Sequence, residues 1–279
     1  MKIKLSYLLL PLSVLFFAIQ GCKQIQVNTI FCENKQNPVG IDNLNPRFSW
    51  QMGSKVKGQI QTAYRILVSD DEALLKKGVG NRWDSEKVES GQSVLIPYNG
   101  EELGPAIKYF WKVKVWDKDG KESAWSKTGT FITALINEND WDNARWIGYE
   151  ELEDSNRVTP GVHNWGHNLS VYQLKRPVIP YFRKEFNIPK KVKSAFLFIS
   201  GLGHYEASIN GQRIDHNFLS PGWTCYEKTC LYNSYDVTKN LKKGDNAIGV
   251  IVGNGFYYIN RERYIKLIIA FGMPKMIGK

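Results

Sequence analysis

Apolar and polar residues alternate with period two over many short stretches, and no stretch keeps the helical period for long. Residues 109–116 show this most cleanly. Phe110, Lys112 and Lys114 share one face, and Trp111, Val113 and Val115 share the other, which predicts a half-buried strand. Residues 48–50 and 63–68 have strand-like composition, Asp119-Gly120 makes a tight turn, and residues 129–133 supply a return strand. Residues 70–78 predict one short helical turn stopped by Gly78. Farther on, residues 181–186, 195–199, 205–209, 229–235, 246–252 and 265–271 read as strands, with Asn210-Gly211 forming a two-residue hairpin.

This pattern divides the chain. Residues 27–136 hold several short strands punctuated by turns, which predicts a β-sandwich of the seven-strand type. The polar run 136–140 reads as a linker, and residues 141–279 read as a second β-domain. A loop of about 30 residues follows Gly148 and carries several acids together with His163, Trp165 and His167. Loops of that length in compact domains are functional or disordered. A jelly roll needs about eight strands. Six are counted, so the second domain is expected to end before it closes, with residues 265–271 as an unpaired edge.

The N-terminus adds a destination. Lys2 and Lys4 precede an apolar run from Leu8 to Ile19, which is shorter than the ~20 residues a spanning helix needs. Residues 1–21 therefore read as a signal peptide. Ile19-Gln20-Gly21-Cys22 is similar to a bacterial lipoprotein box, in which Cys22 is lipidated and becomes the new N-terminus. The alternative is an ordinary secretory signal with an incidental cysteine. The lipoprotein reading predicts an exported cell-envelope protein, at the outer membrane or facing the periplasm, held to the membrane through a lipid anchor.

Charge and cysteines narrow the picture further. The net charge is +10, and removal of residues 1–21 takes two lysines and no acid, leaving +8. The positive charge is scattered, with no block of five basic residues, so no nucleic-acid partner is expected. Beside Cys22, Cys225 and Cys230 are placed to bridge a tight loop or to remain free thiols, and Cys32 is left over. No C-x-x-C metal spacing occurs.

The motif order carries a resemblance. Asn45-Pro46-Arg47-Phe48-Ser49-Trp50 is followed by residues 61–66, by Trp141 with Ala144-Arg145-Trp146-Ile147-Gly148, and by residues 181–186. Then come Gly201-Leu202-Gly203-His204-Tyr205, Ile209-Asn210-Gly211, Pro221-Gly222-Trp223-Thr224, Tyr235-Asp236-Val237-Thr238 and Gly253-Asn254-Gly255-Phe256-Tyr257. In this order they resemble the N-terminal region of bacterial α-L-rhamnosidases, the family 78 glycoside hydrolases. The arrangement of residues 109–113 before Trp125-Ser126 also resembles fibronectin type III modules. Together these imply an all-β chain, a fibronectin type III-like β-sandwich followed by an incomplete jelly-roll β-sandwich.

What the resemblance implies about function is indirect. In that family a later barrel of helices performs an inverting hydrolysis with two carboxylates. No catalytic residue maps onto this chain, so it is expected to be the non-catalytic N-terminal portion of an exported α-L-rhamnosidase, inactive alone. The implied partners are rhamnose-containing glycans of plant or bacterial origin. The alternative is a stand-alone lipid-anchored carbohydrate-binding or surface scaffold protein. Relatives commonly carry Trp where Phe256 stands, which removes an indole donor.

Sugars stack their C–H faces on aromatic rings and offer hydroxyls to polar groups. Trp223, Tyr226, Tyr257 and Tyr258 would be the platforms, with Asp215, Asn217, Asn254 and His204 as polar partners. The same residues equally suit core packing, turns that cap their own backbone, and a structural histidine. No cofactor is required. Calcium is the metal that related jelly rolls use, and Asp215, Asn217 and Asp236 would be its donors. Asp117-Lys118-Asp119-Gly120 starts like a calcium loop but reads as a hairpin turn. His163 and His167 read as a solvated loop, and the Gly-x-Gly pairs at 201–203 and 253–255 precede no helix, which excludes nucleotide loops.

Overall fold

The computed structural model describes residues 25–148 and 179–253, together with Gly255 and Tyr257. The fold is all-β, as the alternation predicts. The first domain holds β1 (Gln26–Cys32), β2 (Val39–Ile41), β3 (Arg47–Gly53), β4 (Gln61–Ser69), α1 (Glu72–Lys76), β5 (Trp83–Asp84), β6 (Val88–Glu89), β7 (Ile96–Pro97), β8 (Lys108–Asp117) and β9 (Gly129–Thr133). One sheet has the order β1-β3-β7. The other has the order β2-β9-β8-β4-β5, with β6 also on β4. The longest strands, β4 and β8, pair antiparallel through the centre of the larger sheet. The helical turn forms where the sequence places it: the Asp71 carboxylate accepts from the Ala73 amide and caps its start.

Aromatic residues fill the space between the two sheets. Phe48 and Trp111 are fully buried with ring centroids 4.4 Å apart, and Phe131 and Tyr98 meet Phe48 edgewise. Burying one such side chain contributes about 1.5–3 kcal/mol. The Trp50 indole has a partner at depth: its Nε1 donates to Gln61 Oε1 at 2.9 Å, and the Gln61 amide donates in turn to the carbonyls of Ser90 and Gln92.

One face assignment needs correction. Lys112 belongs to the nominally polar face of β8, yet it is 7% exposed. Its ammonium donates to the Leu75 carbonyl at the end of α1, 2.6 Å away, and lies 4.8 Å from the Trp125 ring. The helix covers this face of the sheet, so the alkyl stem is buried while the charge finds a carbonyl and a π-face. Burial and the neighbouring Lys114 lower the Lys112 pKa.

The second domain holds β10 (Tyr181–Ile188), β11 (Phe196–Ser200), β12 (His204–Ile209), β13 (Gln212–Arg213), β14 (Tyr232–Asp236) and β15 (Gly244–Gly253). Its sheets are β10-β15-β12-β13 and β11-β14, all antiparallel. Asn210 and Gly211 have φ of 52° and 78°, the left-handed pair that a two-residue hairpin requires. The strand expected over 229–235 starts later, at Tyr232. The amides of Lys228 and Thr229 both turn back onto the Cys225 carbonyl and spend the segment on a turn. The expected strand at 265–271 lies outside the described residues.

A short joint ties the domains together. The Tyr232 hydroxyl donates to the Leu135 carbonyl at 2.7 Å and accepts from the Leu135 amide at 3.0 Å. Lys108 Nζ lies 4.0 Å from Asp236 Oδ2 across the same boundary. Gly40, at φ 78°, passes so close to β14 that a Cβ there would sit 2.5 Å from Ser234 Oγ. Within the linker, the Asp140 carboxylate accepts from the Ile136 and Asn137 amides, each at 2.8 Å, and closes a 3-10 turn over Glu138–Trp141.

Candidate functional site

The described residues among those singled out in the sequence divide into two groups. The first centres on Asp215, which is 5% exposed. Its Oδ1 accepts from the Asn217 amide at 2.7 Å, and its Oδ2 accepts from Ser220 Oγ at 2.6 Å and from the Tyr235 hydroxyl at 2.5 Å. Tyr235 is within 3.4 Å of the Tyr205 hydroxyl, which donates to Asn233 Oδ1 at 2.7 Å. This chain of hydrogen bonds crosses from β12 to β14 and pins the loop after β13 to the core. Asn217 contributes its backbone, its carbonyl accepting from Arg213 at 3.0 Å. Asp215 and Asn217 therefore adopt the backbone-capping arrangement open to them in the sequence.

The electrostatics of that network are legible term by term. Burial pushes against ionisation of Asp215. The hydrogen bonds from Ser220, Tyr235 and the Asn217 amide, with Arg213 nearby, outweigh it and hold the carboxyl below its ordinary value. Burial and the Asp215 charge push the Tyr235 phenol up to about 12. Tyr205 is raised further, chiefly by burial.

The second group gathers at the end of β15. His204 opens β12 opposite Gly253, and Gly255 lies against its ring: a Cβ there would be 2.6 Å from His204 Cδ2. Burial lowers the His204 pKa. Tyr257 meets Tyr226 edgewise at 5.4 Å. Gly203 passes against β15 so closely that a Cβ would lie 1.9 Å from the Gly253 carbonyl oxygen, so the Gly-x-Gly spacing at 201–203 serves sheet packing. Trp223 is 61% exposed and Phe218 85% exposed on the loops between β13 and β14. Asn254, Tyr258 and Cys22 lie outside the described residues, as do His163 and His167.

Asp215 and Asp236 spend their oxygens on different partners, since Asp236 accepts from the Thr238 amide and faces Lys108. The two carboxylates named for calcium thus face different partners. Among the described residues, no group of three or more His, Cys, Asp or Glu is placed to hold a metal ion. Asp117 Oδ1 accepts from the Asp119 and Lys121 amides at 3.0 and 2.9 Å, the geometry of a hairpin turn. Cys225 and Cys230 are unbridged and exposed, and Cys32 is buried.

Sequence reasoning missed a cleft of about 720 Å³ between the linker and the β11-β14 sheet. Trp141, Trp146 and Tyr232 supply its aromatic surface, with Asn139, Asp142 and Asn143 among its polar residues. Trp141 meets Tyr232 edgewise at 5.1 Å, and Trp146 is 49% exposed. Among the described residues, none of those singled out for sugar contact lines it. Its other wall comes from Ser200, Cys230 and Tyr232, far away in the chain, so only the density of Asn, Asp and Trp over 137–146 signals it in the sequence.

Comparison with known proteins places these domains. Residues 27–137 match the family described as the Rha78A-like, N-terminal immunoglobulin domain, and residues 190–276 match the alpha-L-rhamnosidase N-terminal domain. An alpha-L-rhamnosidase of Formosa agariphila is 36% identical over 258 residues, which is 91% of this chain and 27% of the relative. The solved alpha-L-rhamnosidase of Dictyoglumus thermophilum is 40% identical with a TM-score of 0.71, covering 90% of this chain and 26% of that one. The Aspergillus terreus enzyme is 30% identical with a TM-score of 0.68, covering 91% and 26%. The chain spans about a quarter of the length of these relatives.

Proposed function

This chain belongs to the α-L-rhamnosidase family, whose two N-terminal β-domains it carries in order, and from that premise we propose that it is the non-catalytic N-terminal portion of an exported α-L-rhamnosidase. The whole enzyme would hydrolyse terminal α-L-rhamnosyl residues of plant or bacterial glycans. One observation carries the reading: the two family domains lie along nearly all of this chain, yet the same alignment takes up only 27% of the Formosa relative. The part aligned here is the sandwich pair, held as a unit by the Tyr232–Leu135 joint. Its role would be to support and orient the remainder and to hold glycan near it, through Trp223 and the Tyr226–Tyr257 pair.

Release of the aglycone from an aryl α-L-rhamnoside tests the reading: the purified chain should give none, and steady turnover would contradict it. Calorimetric titration with L-rhamnose, with and without calcium, tests the loop aromatics, since loss of heat in Trp223→Ala is expected only if they touch sugar.

Export and anchoring belong to the same proposal. The apolar run before Cys22 and the small residue ahead of it support a lipid-modified N-terminus at the cell envelope. Cys22→Ser should move the protein from the membrane fraction to the soluble fraction. Unchanged membrane recovery would remove the anchor from the account.

A further inference from the structure

We propose that the cleft between the linker and the β11-β14 sheet is a binding site for a neutral saccharide, separate from the loop aromatics. Its volume, about 720 Å³, lies within the range of small-ligand sites, roughly 300–1,000 Å³. The inference rests on the lining and stands without the assignment to a hydrolase family.

The lining has the two chemical faces a pyranose needs. Trp146 offers an indole that is 49% exposed, a face open to stacking against the C–H side of a sugar ring. Trp141 packs edgewise on Tyr232, and the Tyr232 hydroxyl is clamped by both backbone groups of Leu135. The aromatic wall is thereby fixed before any ligand arrives, which limits the ordering cost of binding. Opposite in character are Glu138, Asn139, Asp142 and Asn143. Among the described residues, no hydrogen bond engages their side chains, so their amides and carboxylates remain available to hydroxyl groups. Asp142 and Asn143 are consecutive left-handed residues, at φ 43° and 59°, and make the turn that brings Trp141 and Trp146 to one cleft.

Charge selects the class of sugar. Two carboxylates, Glu138 and Asp142, line the cleft, and no lysine or arginine does among the described residues. A uronate or a sulfated glycan would meet like charge there, whereas a neutral sugar would meet hydrogen-bond acceptors. The strip of Lys108, Lys112, Lys114, Phe110, Trp116 and Trp125 on the first domain offers no rival anion site. Its lysines are already spent on the Leu75 carbonyl, on Glu122 and on the rings beside them.

Saturation-transfer NMR and calorimetry on the purified full chain test the proposal. The probes are methyl α-L-rhamnopyranoside, maltotriose and cellotriose, with a trigalacturonate as the anionic control. At least one neutral probe should bind and the trigalacturonate should not. Trp146→Ala should weaken that binding roughly tenfold or more, because it removes the stacking face. Asn143→Gly keeps the left-handed turn and should weaken binding several-fold by removing one amide, while Ile60→Ala, at an exposed position of the first domain, should leave it unchanged. The circular dichroism spectrum of each variant establishes that it is folded. The proposal is overturned if no neutral probe binds up to about 10 mM, if binding survives both cleft substitutions, or if Trp223→Ala alone abolishes it.

Discussion

At the centre of the first sandwich Phe48 lies 4.4 Å from Trp111 and 5.8 Å from Phe131, all three fully buried. At the centre of the second lies Tyr205, whose hydroxyl reaches Asn233 and Tyr235 and, through Tyr235, the carboxylate of Asp215. Among the described residues, Ile199, Ala207 and Val252 complete the buried apolar cluster around it, with Phe182 and Leu197 packed at its margin. One core is therefore held by volume and the other by a connected set of hydrogen bonds around a charge. A volume-filled core loses stability when atoms are removed, and a polar core when partners or protons change.

That contrast can be broken at its strong end first. Trp111→Ala should cost about 3–5 kcal/mol in the unfolding transition of the first domain. Denaturant titration followed by probes in each domain should show a much smaller change in the second. Asp215→Ala should cost about 2–3 kcal/mol in the second transition, because the Tyr235 and Ser220 hydroxyls lose a charged acceptor. Equal effects of either substitution on both transitions would show that the cores do not stand separately.

Acid sharpens the same comparison. The Asp215 carboxyl is depressed in the fold, so its contribution is fully present above the unfolded value of about 3.9 and is lost as pH falls through the lower folded value. In the first domain, the depressed carboxyls of Asp84 and Asp70 pair with Arg65 and Arg82 at partly exposed sites, where salt screens them. Raising ionic strength should reduce the acid sensitivity of the first transition and leave that of the second. Asp215→Asn should flatten the acid limb of the second alone. The smallest effect belongs to the joint: Tyr232→Phe should cost about 1 kcal/mol and speed hydrogen exchange at the Leu135 amide. Unchanged exchange there would mean that the clamp does not hold the domains together.

The strands whose alternation is clean are legible in the chain, whereas the seven-residue β1 and the two-residue strands are not. β8 and β9 follow directly from alternation and from the turn at Asp119-Gly120, because many side chains repeat one pattern. β5, β6 and β7, at two residues each, are set by what β4 and β3 offer as partners, and two residues carry no period. For Lys112 the sequence shows the charge but not the helix that covers it. The candidate site fared similarly. Asp215 and Asn217 are legible as turn formers from their spacing, but Tyr235, which completes the environment of Asp215, is 20 residues away. The cleft beside Trp146 needed the fold altogether, because Tyr232 reaches it from the far side of the second domain's sequence.

We propose that these two sandwiches accompany rhamnoside hydrolysis without performing it. The most direct measurement is release of p-nitrophenol from p-nitrophenyl α-L-rhamnopyranoside by the purified, folded chain, beside a full-length relative as the positive control. No release above buffer is expected at any protein concentration, while the relative turns the substrate over. Release that rises in proportion to this chain, and disappears when it is heat-denatured, would contradict it.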